Sequence, residues 1–173
     1  MDYKKFIREI PDFPKPGINF KDITTLIRDP RALRYACDDL MARFSGKPIH
    51  TVVGIESRGF IFGSIIAYQL GIGFVPVRKP GKLPAETHSV SYVLEYGTSE
   101  MHMHKDAIPQ GHNVLIVDDL LATGGTARAS CDLIEKVGAQ VAGIGVIIEL
   151  SFLNPRLKFK NYQVESLVTY DSE

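Results

Sequence analysis

Asp118 and Asp119 stand side by side after the apolar run Val114-Leu115-Ile116-Val117, and the chain continues Leu120-Leu121-Ala122-Thr123-Gly124-Gly125-Thr126 into a helical stretch. Adjacent carboxylates accept hydrogen bonds from hydroxyls or face a hard cation such as Mg²⁺. Glycines let main-chain N–H groups approach an anion closely, Thr123 and Thr126 add hydroxyl donors, and a helix N-terminus adds a favourable dipole. The segment reads as a phosphate cradle with acceptors beside it, which suits a ribose 5-phosphate: a phosphate at one end and a vicinal diol further along. It is not a P-loop, because no Gly-Lys-Ser/Thr follows, and its glycine spacing is not that of a dinucleotide fingerprint. The plainer alternative has a threonine capping a helix and both aspartates in solvent. It leaves two consecutive acids at the end of an apolar strand without a reason.

A second polar cluster ends another apolar run: Val53-Gly54-Ile55-Glu56-Ser57-Arg58-Gly59-Phe60. An arginine between a serine and a glycine offers guanidinium and main-chain donors to an anion. A third cluster, Arg78-Lys79-Pro80-Gly81-Lys82, follows a further short apolar run and reads either as a solvated basic loop or as a mobile cover over an anionic ligand.

The elements that must position these residues alternate in type. Asp29-Pro30 starts a helix, with Leu33, Ala36, Cys37, Leu40, Met41 and Phe44 on one face. Ile49–Ile55, Phe74–Val77, Val114–Val117 and Val141–Ile148 read as buried strands, with helices near Gly59–Leu70 and Thr126–Val137. Ser89–Tyr96 and Ser99–His104 alternate in polarity about Gly97 and read as an inserted antiparallel hairpin; Leu157–Tyr170 is strand-like. The pattern predicts an α/β fold with a twisted, mainly parallel sheet flanked by helices. In such sheets ligands bind beyond the carboxyl ends of the strands.

With 173 residues, the chain is expected to form a single domain, 1–173. Twenty Lys+Arg against twenty Asp+Glu argue against a general basic field for nucleic acid or an anionic membrane surface. The uncharged stretch Gly59–Val77 is broken by glycines and Pro76, so it reads as a buried helix and strand rather than a membrane span. Met-Asp-Tyr-Lys-Lys-Phe lacks the apolar region of a secretory signal, and a cytoplasmic location is expected. Cys37 and Cys131 are too few for a disulfide framework and read as small core residues. His102 and His104 share a strand face but lack further ligands for a structural metal.

The run of apolar strand, two acids and Thr-Gly-Gly-Thr loop resembles the phosphoribosyl-pyrophosphate motif of the type I phosphoribosyltransferases, within the purine/pyrimidine phosphoribosyltransferase family. The resemblance implies that Asp118 and Asp119 hold the ribose 3′- and 2′-hydroxyls and that Ala122, Thr123, Gly124, Gly125 and Thr126 wrap the 5-phosphate. It implies a pyrophosphate loop at Glu56, Ser57 and Arg58, often with a cis peptide at Glu56-Ser57, and pyrophosphate contacts from Arg78, Lys79 and Lys82. It also implies a homodimer, with Arg78 reaching across, and Mg²⁺ held through the substrate rather than directly by the protein. Pro14–Ile23 and Leu94-Glu95-Tyr96-Gly97 are similar to the hood and mobile loop of the family's adenine-using branch. This implies a base-binding hood within 1–28 containing Phe20 and Lys21, a flexible loop and hairpin over about 78–105, and catalytic roles for Arg58 and Glu95. Ala122 stands where relatives acting on 6-oxopurines carry an acid. The implied reaction joins adenine to the 5-phosphoribosyl group to give AMP and diphosphate. The alternatives are a transferase for xanthine, guanine or hypoxanthine, or a non-catalytic sensor of phosphoribosyl pyrophosphate.

Overall fold

The structure, a computed structural model, describes residues 1–93 and 97–172. A short antiparallel ribbon opens the chain, β1 (Arg8–Ile10) against β2 (Phe20–Asp22), with Ile10 opposite Phe20 and Arg8 opposite Asp22. Two helices follow, α1 (Thr24–Arg28) and α2 (Pro30–Ala42). Asp29 caps α2 as its spacing predicts, its carboxylate accepting from the N–H groups of Arg31 and Ala32, each at 2.9 Å. Ala32, Ala36, Cys37 and Leu40 face inward.

The centre is a sheet of β3 (Thr51–Ile55), β4 (Gly73–Val77), β7 (Asn113–Leu121), β8 (Gln140–Leu150) and β9 (Val164–Tyr170). The order is β4-β3-β7-β8-β9 and every neighbouring pair is parallel. Helix α3 (Gly59–Leu70) joins β3 to β4, and α4 (Gly125–Lys136) joins β7 to β8. Side chains alternate across the strands and so build two cores. Val52, Leu115 and Val117 pack with α1, α2 and α3. Val53, Ile55 and Ile116 pack with α4 and the hairpin of β5 (Thr87–Val93) and β6 (Thr98–His104). The hairpin is antiparallel, from Thr87 opposite His104 to Val93 opposite Thr98.

Two boundaries differ most from the sequence reading. Strand β7 does not stop at Val117 but runs through Asp118 and Asp119 to Leu121, because β8 supplies main-chain partners that far: Asp118 faces Val146 and Leu121 faces Glu149. The stretch 157–170 is a strand only from Val164; before it, Pro155–Lys158 forms a 3₁₀ turn that carries Phe159 into the core.

Candidate active site

The carboxyl ends of β3 and β7 open onto a cavity of about 410 Å³ lined by Glu56, Ser57, Arg58, Lys79, Asp118, Asp119 and the segment 122–126. The sheet order makes β3 and β7 neighbours, so the two polar clusters, far apart in sequence, meet at one rim.

Glu56-Ser57 is a cis peptide, and Arg58 then stands at the N-cap position of α3. The guanidinium of Arg58 donates to Asp119 Oδ2 at 2.5 Å and lies 5.8 Å from the centroid of the Phe20 ring. It thus spans the hood and the acid pair. Asp118 Oδ1 accepts the main-chain N–H of Asp119 at 2.9 Å. Burial, then the neighbouring charge of Asp119, pushes the Asp118 carboxyl well above the usual carboxylate range, against the opposing pull of the Asp119 N–H and Arg58. Helix α3 approaches this strand so closely that a Cβ on Gly59 would sit 2.7 Å from the Val117 carbonyl oxygen and 2.9 Å from Asp118 Oδ1.

Glu56 organises the basic segment. Its carboxylate accepts from Arg78 Nε at 3.3 Å, Arg78 Nη2 at 3.2 Å and the Lys79 main-chain N–H at 2.9 Å. Burial works to raise this carboxyl, but the Lys79 N–H and the Arg78 guanidinium outweigh it and leave it below the usual range. Arg78 Nη1 also donates to the Lys82 carbonyl at 3.0 Å. Lys79 therefore lines the cavity, whereas Arg78 and Lys82 are not among its lining residues.

The loop 122–126 is held from two sides. Gly124 has φ +80°, and a Cβ there would meet the Phe159 ring at 2.9 Å. A Cβ on Gly125 would meet the Tyr92 ring at 2.9 Å. Lys158 Nζ donates to the Thr123 carbonyl, and Thr126 Oγ1 donates to Tyr92 Oη at 3.4 Å. Both glycines are required sterically, because aromatic rings occupy the space of a side chain.

Of the expected base-site pair, Phe20 lies beside Arg58 and packs edge-on to Phe13, with centroids 5.2 Å apart. The Lys21 side chain, on the opposite face of β2, is buried: Nζ pairs with Glu9 at 3.1 Å and lies 4.4 Å from the centroid of the Tyr170 ring. Only the Lys21 main chain is left to face a base. Glu95 lies outside the described residues. Sequence reasoning missed Tyr92, Lys158 and Phe159; of these only Tyr92 carried a signal, as the aromatic on the inward-facing register of the hairpin.

Among the described residues, no group of three or more His, Cys, Asp or Glu is placed to hold a metal ion. His102 Nε2 contacts Glu100 and Nδ1 contacts Thr87, each at 3.1 Å, while His104 Nε2 accepts from the Ala85 N–H at 3.4 Å. Asp118 and Asp119 present hard oxygen donors at one side of the cavity, the chemistry that suits Mg²⁺ bound through the oxygens of a phosphorylated ligand.

Residues 21–168 match the phosphoribosyl transferase domain family, a span that takes in the ends of β3 and β7, the basic segment and the 122–126 loop. The chain belongs to this family. Its curated relatives include the adenine phosphoribosyltransferase of Nitrosococcus oceani, 56% identical over 96% of this chain and 98% of that protein. That of a Synechococcus species is 55% identical over 99% and 100%. Among solved structures, the Thermoanaerobacter pseudethanolicus adenine phosphoribosyltransferase superposes with a TM-score of 0.95 at 51% identity, covering 98% of each chain. The Saccharomyces cerevisiae enzyme, solved with adenine and D-2,5-dideoxy-2,5-imino-altritol 1,6-bisphosphate, gives 0.90 at 42% identity over 96% of each. The α/β architecture is that of the type I phosphoribosyltransferases.

Proposed function

We propose that this phosphoribosyltransferase moves the 5-phosphoribosyl group of 5-phospho-α-D-ribose 1-diphosphate onto N9 of adenine, releasing AMP and diphosphate in purine salvage. The observation that carries this reading is the single cavity into which the β7 acid pair, the glycine loop and the Glu56-Ser57-Arg58 turn all open. Relatives more than half identical over nearly the whole chain bear the adenine enzyme's name.

Asp118 and Asp119 accept hydrogen bonds from the ribose hydroxyls, which fixes the sugar on β7. The main-chain N–H groups of 122–126, with the hydroxyls of Thr123 and Thr126, bind the 5-phosphate at the start of α4. Ser57, Arg58 and Lys79 face the diphosphate; Glu56 orients Arg78 and the Lys79 main chain behind them, and Lys82 adds positive charge. Adenine stacks by Phe20 and Arg58, with the main chain at Lys21 along its edge. As the bond from C1′ to the diphosphate oxygen breaks, positive charge grows on the ribose and negative charge on the leaving group. The N9–C1′ bond forms as N9 gives up its proton to solvent or to the departing diphosphate. Positioning and fixed charges supply most of the acceleration. Mg²⁺, bound through the substrate's oxygens, would neutralise diphosphate charge.

The unit is proposed as a cytoplasmic homodimer. Tyr35 and Tyr68 on α2 and α3 are 49% and 88% exposed, and α3 is apolar on nearly every side, as suits a helix covered by a second copy. Among the described residues no helix is long and apolar enough to cross a membrane.

The test incubates the protein with Mg²⁺, phosphoribosyl pyrophosphate and each of adenine, hypoxanthine, guanine and xanthine separately. AMP from adenine is the expected product. Nucleotide from hypoxanthine but not adenine overturns the base assignment, and no nucleotide from any base points to a sensor of the pyrophosphate.

A further inference from the structure

We propose that Tyr92 is a positioning residue for the phosphate loop: its ring braces the main chain at Gly125, and its hydroxyl aims that of Thr126 at the 5-phosphate. The inference rests on the reading of 122–126 as the phosphate loop.

Strand β5 lies along α4. Lys136 Nζ, in the last turn of α4, donates to the Ser89 carbonyl at 3.3 Å, and Tyr92 covers the first turn. The two-residue period of a strand puts Tyr92 on the same face as Val90, and both pack against the core that holds α4. The ring is therefore held by the sheet side of the hairpin, and it fills the space a Gly125 side chain would need.

The hydroxyl contact has a direction that a ligand reverses. Thr126 Oγ1 donates to Tyr92 Oη across 3.4 Å, longer than an ordinary O–H···O bond and so a contact that a ligand can tighten, and both residues line the cavity. A hydroxyl has one proton to donate and two acceptor sites. A phosphate oxygen at the loop is a stronger, charged acceptor than a phenol, so the Thr126 hydroxyl donates to it instead. Tyr92 Oη–H then turns to donate to Thr126 Oγ1. The resulting chain, Tyr92 to Thr126 to phosphate, polarises each bond along it. Tyr92 touches no reacting atom; it acts through Thr126.

The experiment is a double-mutant cycle with Tyr92→Phe and Thr126→Val, read as KM for phosphoribosyl pyrophosphate, kcat, and calorimetric binding of ribose 5-phosphate. Tyr92→Phe keeps the ring and removes one hydrogen bond, so it is expected to raise KM for phosphoribosyl pyrophosphate and weaken ribose 5-phosphate about three- to tenfold. The kcat and the KM for adenine should stay within about twofold, and Tyr92→Phe should add nothing once Thr126 is valine. An unchanged KM in Tyr92→Phe overturns the proposal, as does the same increase in both backgrounds. If Thr126→Val alone leaves both ligands bound normally, the phosphate-loop reading itself fails, and the proposal with it.

Discussion

Replacing Gly59 with alanine tests whether the closeness of α3 to β7 sets the geometry of the site. The new Cβ would lie 2.7 Å from the Val117 carbonyl oxygen, 2.9 Å from Asp118 Oδ1 and 3.1 Å from Asp118 Cα. An ordinary contact is 3.4 Å or more. Helix and strand must therefore part by about 0.7 Å, since two of the three obstructing atoms are main chain in the central strand. The strand is fixed by β3 and β8 on its two edges, so the helix start moves and carries Ser57 and Arg58 with it. Overpacking of this kind costs about 1–3 kcal/mol, or a Tm loss of roughly 2–12 °C for a domain of this size. A misplacement approaching an ångström between a binding group and the acid pair predicts a kcat about ten- to a hundredfold lower. The assay is AMP formation from adenine at saturating substrates, alongside calorimetric melting. Gly73→Ala is the control: no atom lies within 4 Å of its added Cβ, and both readouts should stay at wild type. A Gly59→Ala enzyme that melts earlier yet turns over normally would refute the link between helix approach and catalysis.

Asp119→Asn removes both a hydroxyl acceptor and the charge partner of Arg58, and kcat/KM for phosphoribosyl pyrophosphate should fall about 10- to 100-fold with the circular dichroism spectrum unchanged. Normal turnover would remove the ribose assignment. Asp118 holds its proton in the folded state to a higher pH than in the unfolded chain, so its contribution favours folding at low pH and is lost as pH rises from the ordinary carboxylate range through the raised value. Asp118→Asn should flatten that decline in Tm and melt higher at neutral pH; parallel Tm–pH curves would contradict the assignment. Arg156→Met strands Glu149, which is 1% exposed and receives Arg156 at 2.7 and 2.8 Å, leaving Ser166 as its one side-chain donor among the described residues. The expected loss is about 2–3 kcal/mol in urea unfolding, and restoration of part of it by adding Glu149→Gln checks the cause.

What could be read from the chain in advance depended on how local the determining interaction is. Asp29-Pro30 and the spacing after it specify α2 within one segment. The apolar run before Asp118, with the small-residue loop after it, likewise carries its own meaning. The extension of β7 through Leu121 was hidden because it depends on partners in β8. Resemblance places Lys21 in the base site, yet its side chain is buried because the β1–β2 register sets it opposite Glu9, and β1 is too short to announce itself. Lys158 was invisible for the same reason: it supports the Thr123 carbonyl from 35 residues away. Glu56 read as a ligand residue, while its three hydrogen bonds make it the support of the basic segment.

The bond between Arg58 and Asp119 has a consequence for what the cavity rejects. A lone anion approaching Arg58 must compete with a carboxylate already bound to it and leave Asp119, 6% exposed, without its donor. Stranding such a charged group costs about 1–3 kcal/mol or more. Inorganic phosphate brings negative charge to Arg58 but no vicinal diol to Asp119. On the proposed reading, a ribose carrying anions on either side brings both: its hydroxyls would replace the donor that Asp119 gives up while its diphosphate takes the guanidinium. On that reading the pair is a two-key lock, favouring over free phosphate a molecule that brings both halves of the exchange.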